Sequence, residues 1–371
     1  MNNITMNDVS LTEIAAHCKQ AINMALNRDG ETSYTLAFDV VANENALNFI
    51  YYSPSALTLN EELYNKLTAI ISTNVYPYFT VFPQATPLLI PWDKEDIHKA
   101  RAWAFPWKRG VSKRLVINDL NAFLNKNTVN SKRIWFMPNF YIDLDRLTSI
   151  TVMGLSGSGK TRQLRYLNSV AAKLGKVITI DPKSSKDLVW WAKDHAQEII
   201  YPTPETSKSD FLSKVNDRLS AVLQEIFKRQ QKFLESRENI NFHFSPIFIT
   251  IDELSSLTVG VNKAIVNSFF SLLESITLLG RETNIHLILA SQTLDVKTLP
   301  SSVRSQSNLR ILLGQVNSKS GQYLFPDYDL SSVVVPQGVG TGIIQKLDSN
   351  DVPAITPYLA PTVKQRKENA K

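Results

Sequence analysis

The spacing of apolar and polar positions divides the chain into two parts. In the first part, apolar residues recur at helical spacing from Ser10 to about Leu26, and a second helix is predicted over Asn60 to Ser72. The predicted strands of this part are Tyr34 to Val41, Ala46 to Tyr52 and Tyr76 to Phe82. The pattern predicts a smaller α+β N-terminal domain over residues 1–140, in which no chemical motif is evident.

From about Tyr141 the pattern changes to apolar runs that alternate with amphipathic stretches. The runs predict strands over Ser149 to Met153, Val177 to Ile180, Ile247 to Ile251, His286 to Ala290 and Leu309 to Leu313. The amphipathic stretches predict helices over Lys160 to Leu174, Phe211 to Glu235 and Asn262 to Leu279. This alternation is typical of a parallel sheet with helices on both faces. We therefore expect an α/β domain with a mainly parallel sheet over residues 141–362, followed by a basic flexible tail over 363–371.

A glycine-rich loop lies between the first of these strands and the helix that begins at Lys160. It consists of Gly154, Leu155, Ser156, Gly157, Ser158, Gly159, Lys160 and Thr161. Glycines at this spacing allow backbone N–H groups to point inward at phosphates, while Lys160 supplies positive charge and Thr161 offers its hydroxyl to Mg²⁺. The loop therefore predicts a P-loop nucleotide site, with ATP and Mg²⁺ as the cofactors.

Two acidic residues follow the strand that ends at Ile251. Asp252 and Glu253 lie at the carboxyl edge of the predicted sheet, where ligands bind in such folds. In a P-loop ATPase, an acid at the position of Asp252 holds Mg²⁺ through water, and a neighbouring acid such as Glu253 orients and deprotonates the attacking water. An apolar run before Asp-Glu is weak evidence by itself, but downstream of a P-loop it indicates a catalytic pair.

A further polar residue, Gln292, follows the strand His286 to Ala290. It stands where it would face the γ-phosphate or the attacking water, so we expect it to act as a sensor. The alternative is that Gln292 only caps its strand.

Composition changes this picture little. The formal net charge of +6 permits a polyanionic partner without requiring one. No apolar run is long enough to span a membrane, and the N-terminus lacks the features of a signal peptide. We therefore expect a cytoplasmic protein that reaches a membrane only through a partner. The single cysteine, Cys18, is expected to be an ordinary half-buried thiol.

The segment from Trp92 to Asn139 combines aromatic and basic side chains. Those that stand out are Trp103, Phe105, Trp107, Lys108, Arg109, Lys113 and Arg114. The segment could be either a DNA-facing surface or a packed linker, and we favour packing.

The order of these motifs resembles that of the FtsK/HerA superfamily of DNA-translocating P-loop ATPases, and particularly the FtsK-like coupling proteins that act in conjugation of Gram-positive plasmids. The resemblance covers roughly Ile150 to Tyr358. It also includes the triplet Asp181-Pro182-Lys183, the Gly280-Arg281 pair ahead of an Ile-His-Leu strand that ends in Ser-Gln, and Asn308 to Ile311 before Gln315-Val316. It implies a RecA-like fold and an ATP-driven motor that moves DNA.

The resemblance also implies a homo-oligomer, a hexameric ring in which ATP lies between subunits and an arginine reaches the neighbour's γ-phosphate. Arg310 matches that position best, with Arg281 and Arg304 as alternates, although each arginine could instead be a surface charge or part of a structural ion pair. A motor that advances along any sequence should hold DNA through its phosphates. Candidate contacts are Lys183, Lys186, Lys297 and Arg304.

The resemblance has limits that leave other functions open. FtsK proteins proper carry membrane helices and a winged-helix module, neither of which this sequence shows, so a relaxase or a membrane-channel protein is the expected docking partner. One alternative is a viral or phage genome-packaging ATPase with the same core. Another is a nucleotide-dependent assembly switch without translocation, against which Glu253 argues because a switch need not retain a hydrolytic carboxylate.

Overall fold

The computed structural model describes residues 9–28, 37–54, 59–235, 243–295, 297–347 and 354–364, whose contacts form two compact units. The first unit comprises Met1–Ser112, Gln315–Pro336 and Pro353–Pro357; the second comprises Lys113–Gly314, Gln337–Val352 and Tyr358–Lys371. The division thus falls after Ser112, whereas the sequence pattern suggests residue 140. It does so because Ile117, Leu124 and Phe136 pack into the core of the second unit. The periodicity of apolar residues depends only on neighbours along the chain, so it cannot show in which unit these residues pack.

The elements have the following bounds. The helices are α1 (Leu11–Arg28), α2 (Glu61–Val75), α3 (Leu120–Leu124), α4 (Lys160–Leu174), α5 (Lys186–Asp194), α6 (Lys208–Glu235), α7 (Leu254–Thr258), α8 (Lys263–Leu279), α9 (Ser301–Ser305) and α10 (Ser318–Gly321). The strands are β1 (Phe38–Ala42), β2 (Ala46–Tyr51), β3 (Phe79–Val81), β4 (Leu88–Pro91), β5 (Arg101–Arg109), β6 (Val116–Ile117), β7 (Arg133–Met137), β8 (Phe140–Asp143), β9 (Ser149–Gly154), β10 (Lys176–Ile180), β11 (Glu198–Ile200), β12 (Ile247–Ile251), β13 (Ile285–Ser291), β14 (Leu309–Leu313), β15 (Thr341–Lys346), β16 (Ile355–Leu359) and β17 (Thr362–Val363). Within the described ranges, no helix is both long and apolar enough to cross a membrane.

The first unit is built on an antiparallel sheet with the strand order β1-β2-β5-β3, and β4 also pairs with β5. Its core includes side chains of both α1 and α2. Trp103, Phe105 and Trp107 on β5 are all buried in this core, which confirms packing for the aromatic residues of the segment. Cys18 differs from expectation, because it is completely buried rather than half-buried, and this burial raises the pKa of its thiol to about 12.

The second unit contains an eight-stranded sheet with the order β11-β10-β12-β13-β9-β14-β15-β16. The first six strands in this order, β11-β10-β12-β13-β9-β14, are parallel, and β15 runs antiparallel to β14. Strands β9 and β13 are buried along their whole length, as expected for strands covered on both faces. The predicted mainly parallel α/β fold is confirmed. The carboxyl ends of its parallel strands meet at one edge of the sheet.

A buried polar contact fixes α4 on this sheet. Thr250 Oγ1 on β12 donates to Asn168 Oδ1 on α4 at 2.6 Å, and Asn168 Nδ2 donates to Thr179 Oγ1 on β10 at 3.4 Å. Because buried polar groups are costly unless they are paired, these contacts favour one placement of the helix over the two strands. The placement aligns the start of α4 with the ends of β10 and β12.

Candidate active site

The glycine-rich loop joins β9 to α4 in a conformation that depends on glycine. Gly159 precedes α4 with a φ of +100°, and a Cβ there would lie 3.1 Å from the backbone nitrogen of Gly340. The Gly340 N–H donates to Ser158 O at 2.8 Å, which holds the loop against the segment before β15. Gly157 also has a positive φ, +80°, a region that side chains rarely adopt. The backbone therefore has the tight turn that a phosphate cradle requires.

Lys160, the first residue of α4, is buried among carboxylates. Its Nζ donates to Glu253 Oε2 at 2.8 Å and lies 3.8 Å from Asp252 Oδ1. The structure thus brings together three of the five residues that the sequence predicts for catalysis. The outer phosphates of a nucleotide in the loop would compete with Glu253 for this ammonium group.

Glu253 lies in the turn between β12 and α7, with a left-handed backbone (φ +53°) and a buried side chain. Its Oε1 accepts hydrogen bonds from Ser255 Oγ at 2.8 Å, from Ser291 Oγ at 3.1 Å and from the backbone N–H of Gln292 at 3.0 Å. A left-handed conformation is uncommon for a residue with a side chain and costs free energy, so its presence at the end of β12 marks a constrained position. The contacts from the end of β13 hold the carboxylate in one orientation.

The second oxygen of Glu253 is bound by two cations. Oε2 accepts from Lys160 Nζ at 2.8 Å and from Lys183 Nζ at 2.9 Å. Burial by itself would raise the pKa of Glu253, but the hydrogen bonds from Lys160, Lys183 and the Gln292 backbone outweigh it and hold that pKa well below its usual range. Glu253 is therefore ionised at neutral pH, as a general base must be.

Asp252 has the opposite electrostatic balance. Burial raises its pKa, the nearby ammonium of Lys160 opposes that effect, and the carboxylates of Asp181 and Glu253 add to it. Its Oδ1 is buried and has no hydrogen-bond partner within the described part of the chain. A buried carboxylate oxygen without a donor is expensive unless something else compensates its charge. Asp252 therefore offers a ligand for a hard cation at the end of β12.

The Asp181-Pro182-Lys183 triplet forms a turn after β10. Asp181 Oδ1 accepts from the backbone N–H of Lys183 at 2.9 Å, and Oδ2 accepts from the N–H and the hydroxyl of Ser185, each at 2.6 Å. This turn fixes the backbone of Lys183 next to the carboxyl edge of the sheet. Lys183, which the sequence suggests as a DNA contact, therefore pairs with Glu253 in this conformation.

The remaining predicted residues lie apart from this cluster or contact it only through the backbone. Gln292 reaches Glu253 through its N–H, and its partly exposed side chain leaves the sensor role a prediction. Arg310 lies on β14 near the opposite, amino edge of the sheet. Its guanidinium donates there to the carbonyl oxygens of Ser307, Arg304 and Ser305, at 3.1, 3.3 and 3.1 Å respectively. Its role across a subunit boundary stays a prediction.

Two features of the site escaped the sequence analysis. Ser255 and Ser291 both donate to Glu253, a contact that the sequence did not indicate, although Ser291 belongs to the Ser-Gln pair that carries part of the resemblance. Arg114 donates to Ala360 O at 2.7 Å and to Val339 O at 3.0 Å, and so supports the segment that packs on the P-loop. The basic segment containing Arg114 stood out in the sequence, but its partners more than two hundred residues away could not be inferred from it.

A cavity of about 500 Å³ opens beside the P-loop. Gly159 and Arg162 form part of its wall at the start of α4, and Arg114, Gly340 and Pro361 form another part. This volume falls in the usual range for small-molecule sites.

The chain is similar to known proteins in both sequence and structure. It is 24% identical over 218 residues to the FtsK domain-containing protein YdcQ of Bacillus subtilis (strain 168), an alignment that covers 56% of this chain and 44% of that protein. The chain thus spans less than half the length of this curated relative. No family model matches the chain.

Solved structures with the same fold include a conjugation coupling protein and a secretion ATPase. The pCW3 conjugation coupling protein TcpA, in a monomer form with ATPγS, matches with a TM-score of 0.57 and 15% identity over 94% of this chain and 95% of its own. The cytoplasmic domain of the type VII secretion ATPase EccC of Thermomonospora curvata matches with a TM-score of 0.50 and 18% identity over 67% of this chain and 31% of its own.

The P-loop, the acidic pair at the end of β12 and the strand that ends in Ser-Gln thus occur together, in the order of the FtsK motors, on a RecA-like sheet. The sequence relative carries an FtsK domain, and the solved relatives include a nucleotide-bound member of the same fold. The chain thus has the RecA-like fold of these solved structures and the nucleotide-site motifs of a P-loop ATPase, and it is similar in sequence to an FtsK domain-containing protein.

Proposed function

We propose that this ATPase is a motor that translocates DNA, and that it acts as a coupling ATPase in conjugative transfer of plasmid or mobile-element DNA. The observation that carries the proposal is the extent of the fold similarity to the conjugation coupling protein. That similarity covers 94% of the chain and therefore extends to the first unit, whereas the similarity to the secretion ATPase covers 67%. A relaxase or a membrane-channel protein would be the docking partner of such a motor.

The geometry supports the following roles for four residues of the proposed active site. Lys160 binds the outer phosphates at the start of α4, and the adjacent cavity has room for the nucleoside. Asp252 and Thr161 would hold Mg²⁺, since Asp252 Oδ1 is a buried oxygen without a hydrogen-bond partner within the described ranges. The ion would neutralise charge on the phosphates. Glu253, ionised and held at the end of β12, accepts the proton of the attacking water.

DNA would be held through its phosphates. Lys186 and Lys297 follow strands of the sheet, and both residues are exposed. Contacts of this kind do not read bases, so affinity should be independent of sequence. Each phosphate that the protein neutralises should contribute a slope of about −0.9 to a plot of log affinity against log salt for duplex DNA.

The test is ATP turnover measured with duplexes of unrelated sequence, titrated from low to physiological salt. Stimulation that is equal for all duplexes and falls with salt along with DNA affinity is the expected result. A strong preference for one sequence would indicate a site-specific binder. No stimulation by duplex or single-stranded DNA would favour an assembly switch instead.

We also propose a hexameric ring in which Arg310 of one subunit reaches the nucleotide of the next. The proposal requires the guanidinium of Arg310 to leave the three carbonyl oxygens that it contacts in this conformation. Mixing Arg310→Ala and Lys160→Ala proteins should then recover part of the activity, since some interfaces combine an intact P-loop with an intact arginine. A protein that remains monomeric at micromolar concentration with ATP and DNA would contradict it.

A further inference from the structure

The guanidinium of Arg114 joins two segments of the second unit. Its Nη1 donates to Ala360 O at 2.7 Å, and its Nη2 donates to Val339 O at 3.0 Å. The two segments also contact each other, since the Ala360 N–H donates to Gly340 O at 2.7 Å. Arginine presents its donors in a rigid planar fork, so one side chain can hold two carbonyl oxygens in a single arrangement. Arg114 thereby fixes the position of the peptide bond between Val339 and Gly340.

That peptide bond links Arg114 to the P-loop. Its oxygen accepts from Arg114, and its nitrogen, that of Gly340, donates to Ser158 O at 2.8 Å. In a planar trans peptide the C=O and the N–H point in opposite directions, so the unit accepts on one side and donates on the other. A charged donor on the oxygen also polarises the peptide and strengthens the hydrogen bond that its N–H makes. The guanidinium therefore acts on the P-loop through a single peptide bond.

The hydrogen bond to Ser158 O sets the direction of the next N–H in the P-loop. Ser158 O and the Gly159 N–H belong to one peptide bond, so an oxygen held by Gly340 directs that N–H away from Gly340. Gly159 has a φ of +100° and no side chain to resist rotation, so this peptide can turn over at little cost unless another contact prevents it. Backbone N–H groups of the loop are the donors that a nucleotide phosphate needs. A peptide that turned over would present its oxygen to the phosphate instead.

We infer that Arg114 is a positioning residue for ATP binding, which acts through the Val339–Gly340 peptide bond to keep the Gly159 N–H in the orientation that a phosphate requires. The inference rests on the ATP site assigned to the P-loop and does not involve DNA. Loss of Arg114 should weaken ATP binding, because binding must then also orient the peptide, and this lowers the apparent affinity. It should leave the chemical step nearly unchanged, since a bound phosphate holds the N–H once ATP is in place.

The first experiment compares Arg114→Met with the wild type in the absence of DNA. Kd for a non-hydrolysable ATP analogue, measured by calorimetry, and KM for ATP should both rise about tenfold, which corresponds to the loss of one hydrogen bond to a charged group. The value of kcat should stay within about twofold. Arg114→Lys keeps the charge but lacks the fork, so its Kd should lie between those of the other two proteins. An unchanged Kd in Arg114→Met, or full recovery of affinity in Arg114→Lys, would overturn the inference.

The second experiment separates positioning from direct contact, because Arg114 also lines the cavity beside the P-loop. A Cβ on Gly340 would lie 3.2 Å from Arg114 Nη1 and 3.2 Å from Ala360 Cβ, so Gly340→Ala displaces the same peptide without removing the guanidinium. Gly340→Ala should also weaken ATP binding, and Arg114→Met should add little to that loss in the double variant. Effects that add fully would mean that Arg114 contacts the nucleotide directly, and the inference would fail. If Arg114→Met does not fold, Arg114→Lys replaces it in the same cycle.

Hydrogen–deuterium exchange tests the contact itself. The Gly340 amide, which donates to Ser158 O, should exchange faster in Arg114→Met than in the wild type without nucleotide, and it should slow again when the analogue is bound. Exchange equal to that of the wild type would show that Arg114 does not hold this peptide. Lys113→Met removes the exposed neighbour of Arg114 and should leave both exchange and Kd unchanged.

The measurements also distinguish failure of this inference from failure of the proposed function. Wild-type protein that binds the analogue, together with an Arg114→Met variant that binds it equally well, would overturn the role of Arg114 alone. Wild-type protein that binds no ATP would remove the site and the inference with it. Absence of stimulation by DNA would remove only the motor function, since every comparison above is made without DNA.

Discussion

Polar side chains at the two edges of the eight-stranded sheet have different kinds of partner. At the carboxyl edge, the buried charges of Lys160, Asp252 and Glu253 contact one another, and one oxygen of Asp252 has no hydrogen-bond partner in the described structure. At the amino edge, Asn308 accepts from the N–H groups of Thr148 and Ser149, and Arg310 donates to backbone carbonyl oxygens. Contacts between side-chain charges can be replaced by a ligand. Contacts closed by the backbone stabilise the fold.

Strand β13 shows the same difference within one element. His286 at its amino end is buried with its pKa lowered to about 4 by burial, whereas Ser291 at its carboxyl end donates to Glu253. The strand is therefore structural at one end and part of the active site at the other. Substitutions at the carboxyl edge should change activity, and those at the amino edge should change stability. Arg310, by its proposed role in trans, should change both.

The largest effect is expected for Lys160→Ala. Removal of the ammonium leaves the outer phosphates without their positive partner, so productive nucleotide binding should be lost. Calorimetric titration with ATP checks this, and Lys173→Ala on the exposed part of the same helix is the matched control. Near-normal ATP affinity in Lys160→Ala would mean that this edge does not bind phosphate.

Glu253→Gln should separate binding from hydrolysis. The amide can still accept hydrogen bonds but is a far weaker base than a carboxylate, so turnover should fall about 10²-fold or more while ATP still binds. Single-turnover hydrolysis together with ATP affinity measures the two effects. Turnover like that of the wild type would remove Glu253 from the role of general base.

At the amino edge, His286 should make stability depend on pH. Its pKa is lowered to about 4 in the folded chain, whereas an unfolded histidine keeps its ordinary value of about 6.5. Below about pH 6.5 the unfolded chain binds a proton that the folded chain does not, so stability falls as the pH drops toward 4. This residue should cost about 2 kcal/mol between about pH 7 and pH 5.

Denaturant unfolding of the wild type and His286→Gln at both pH values isolates that contribution. The variant lacks the titrating imidazole, so its stability should fall less with acid than that of the wild type. Equal losses in the two proteins would show that His286 is not held neutral by the fold.

The smallest effect is expected for Arg310→Ala. Loss of its hydrogen bonds to three carbonyl oxygens should lower the free energy of unfolding by about 1 kcal/mol and the melting temperature by a few degrees. Arg281→Ala, which removes an exposed arginine, should leave the melting temperature unchanged. A melting temperature of Arg310→Ala equal to that of the wild type would place Arg310 outside the structural edge and strengthen its proposed role in trans.

The sequence determined the local parts of the site. The P-loop needs only eight consecutive residues, and its glycines with positive φ are where the pattern requires them. Asp252 and Glu253 follow an apolar run whose predicted bounds, Ile247 to Ile251, are those of β12. Periodicity located these elements because each strand or helix buries a face that its own residues define. The short strand β11 and the C-terminal strands β15 and β16 escaped the prediction.

The tertiary structure alone decided which residues meet Glu253. The sheet places β12 between β10 and β13, although these strands are far apart along the chain. That order brings Lys183, after β10, to one oxygen of Glu253, and Ser291, at the end of β13, to the other. Strand order depends on how whole helices and strands pack, and no local pattern of apolar and polar residues encodes it. Only the folded chain could therefore show that Glu253 pairs with Lys183, a lysine seventy residues away along the chain.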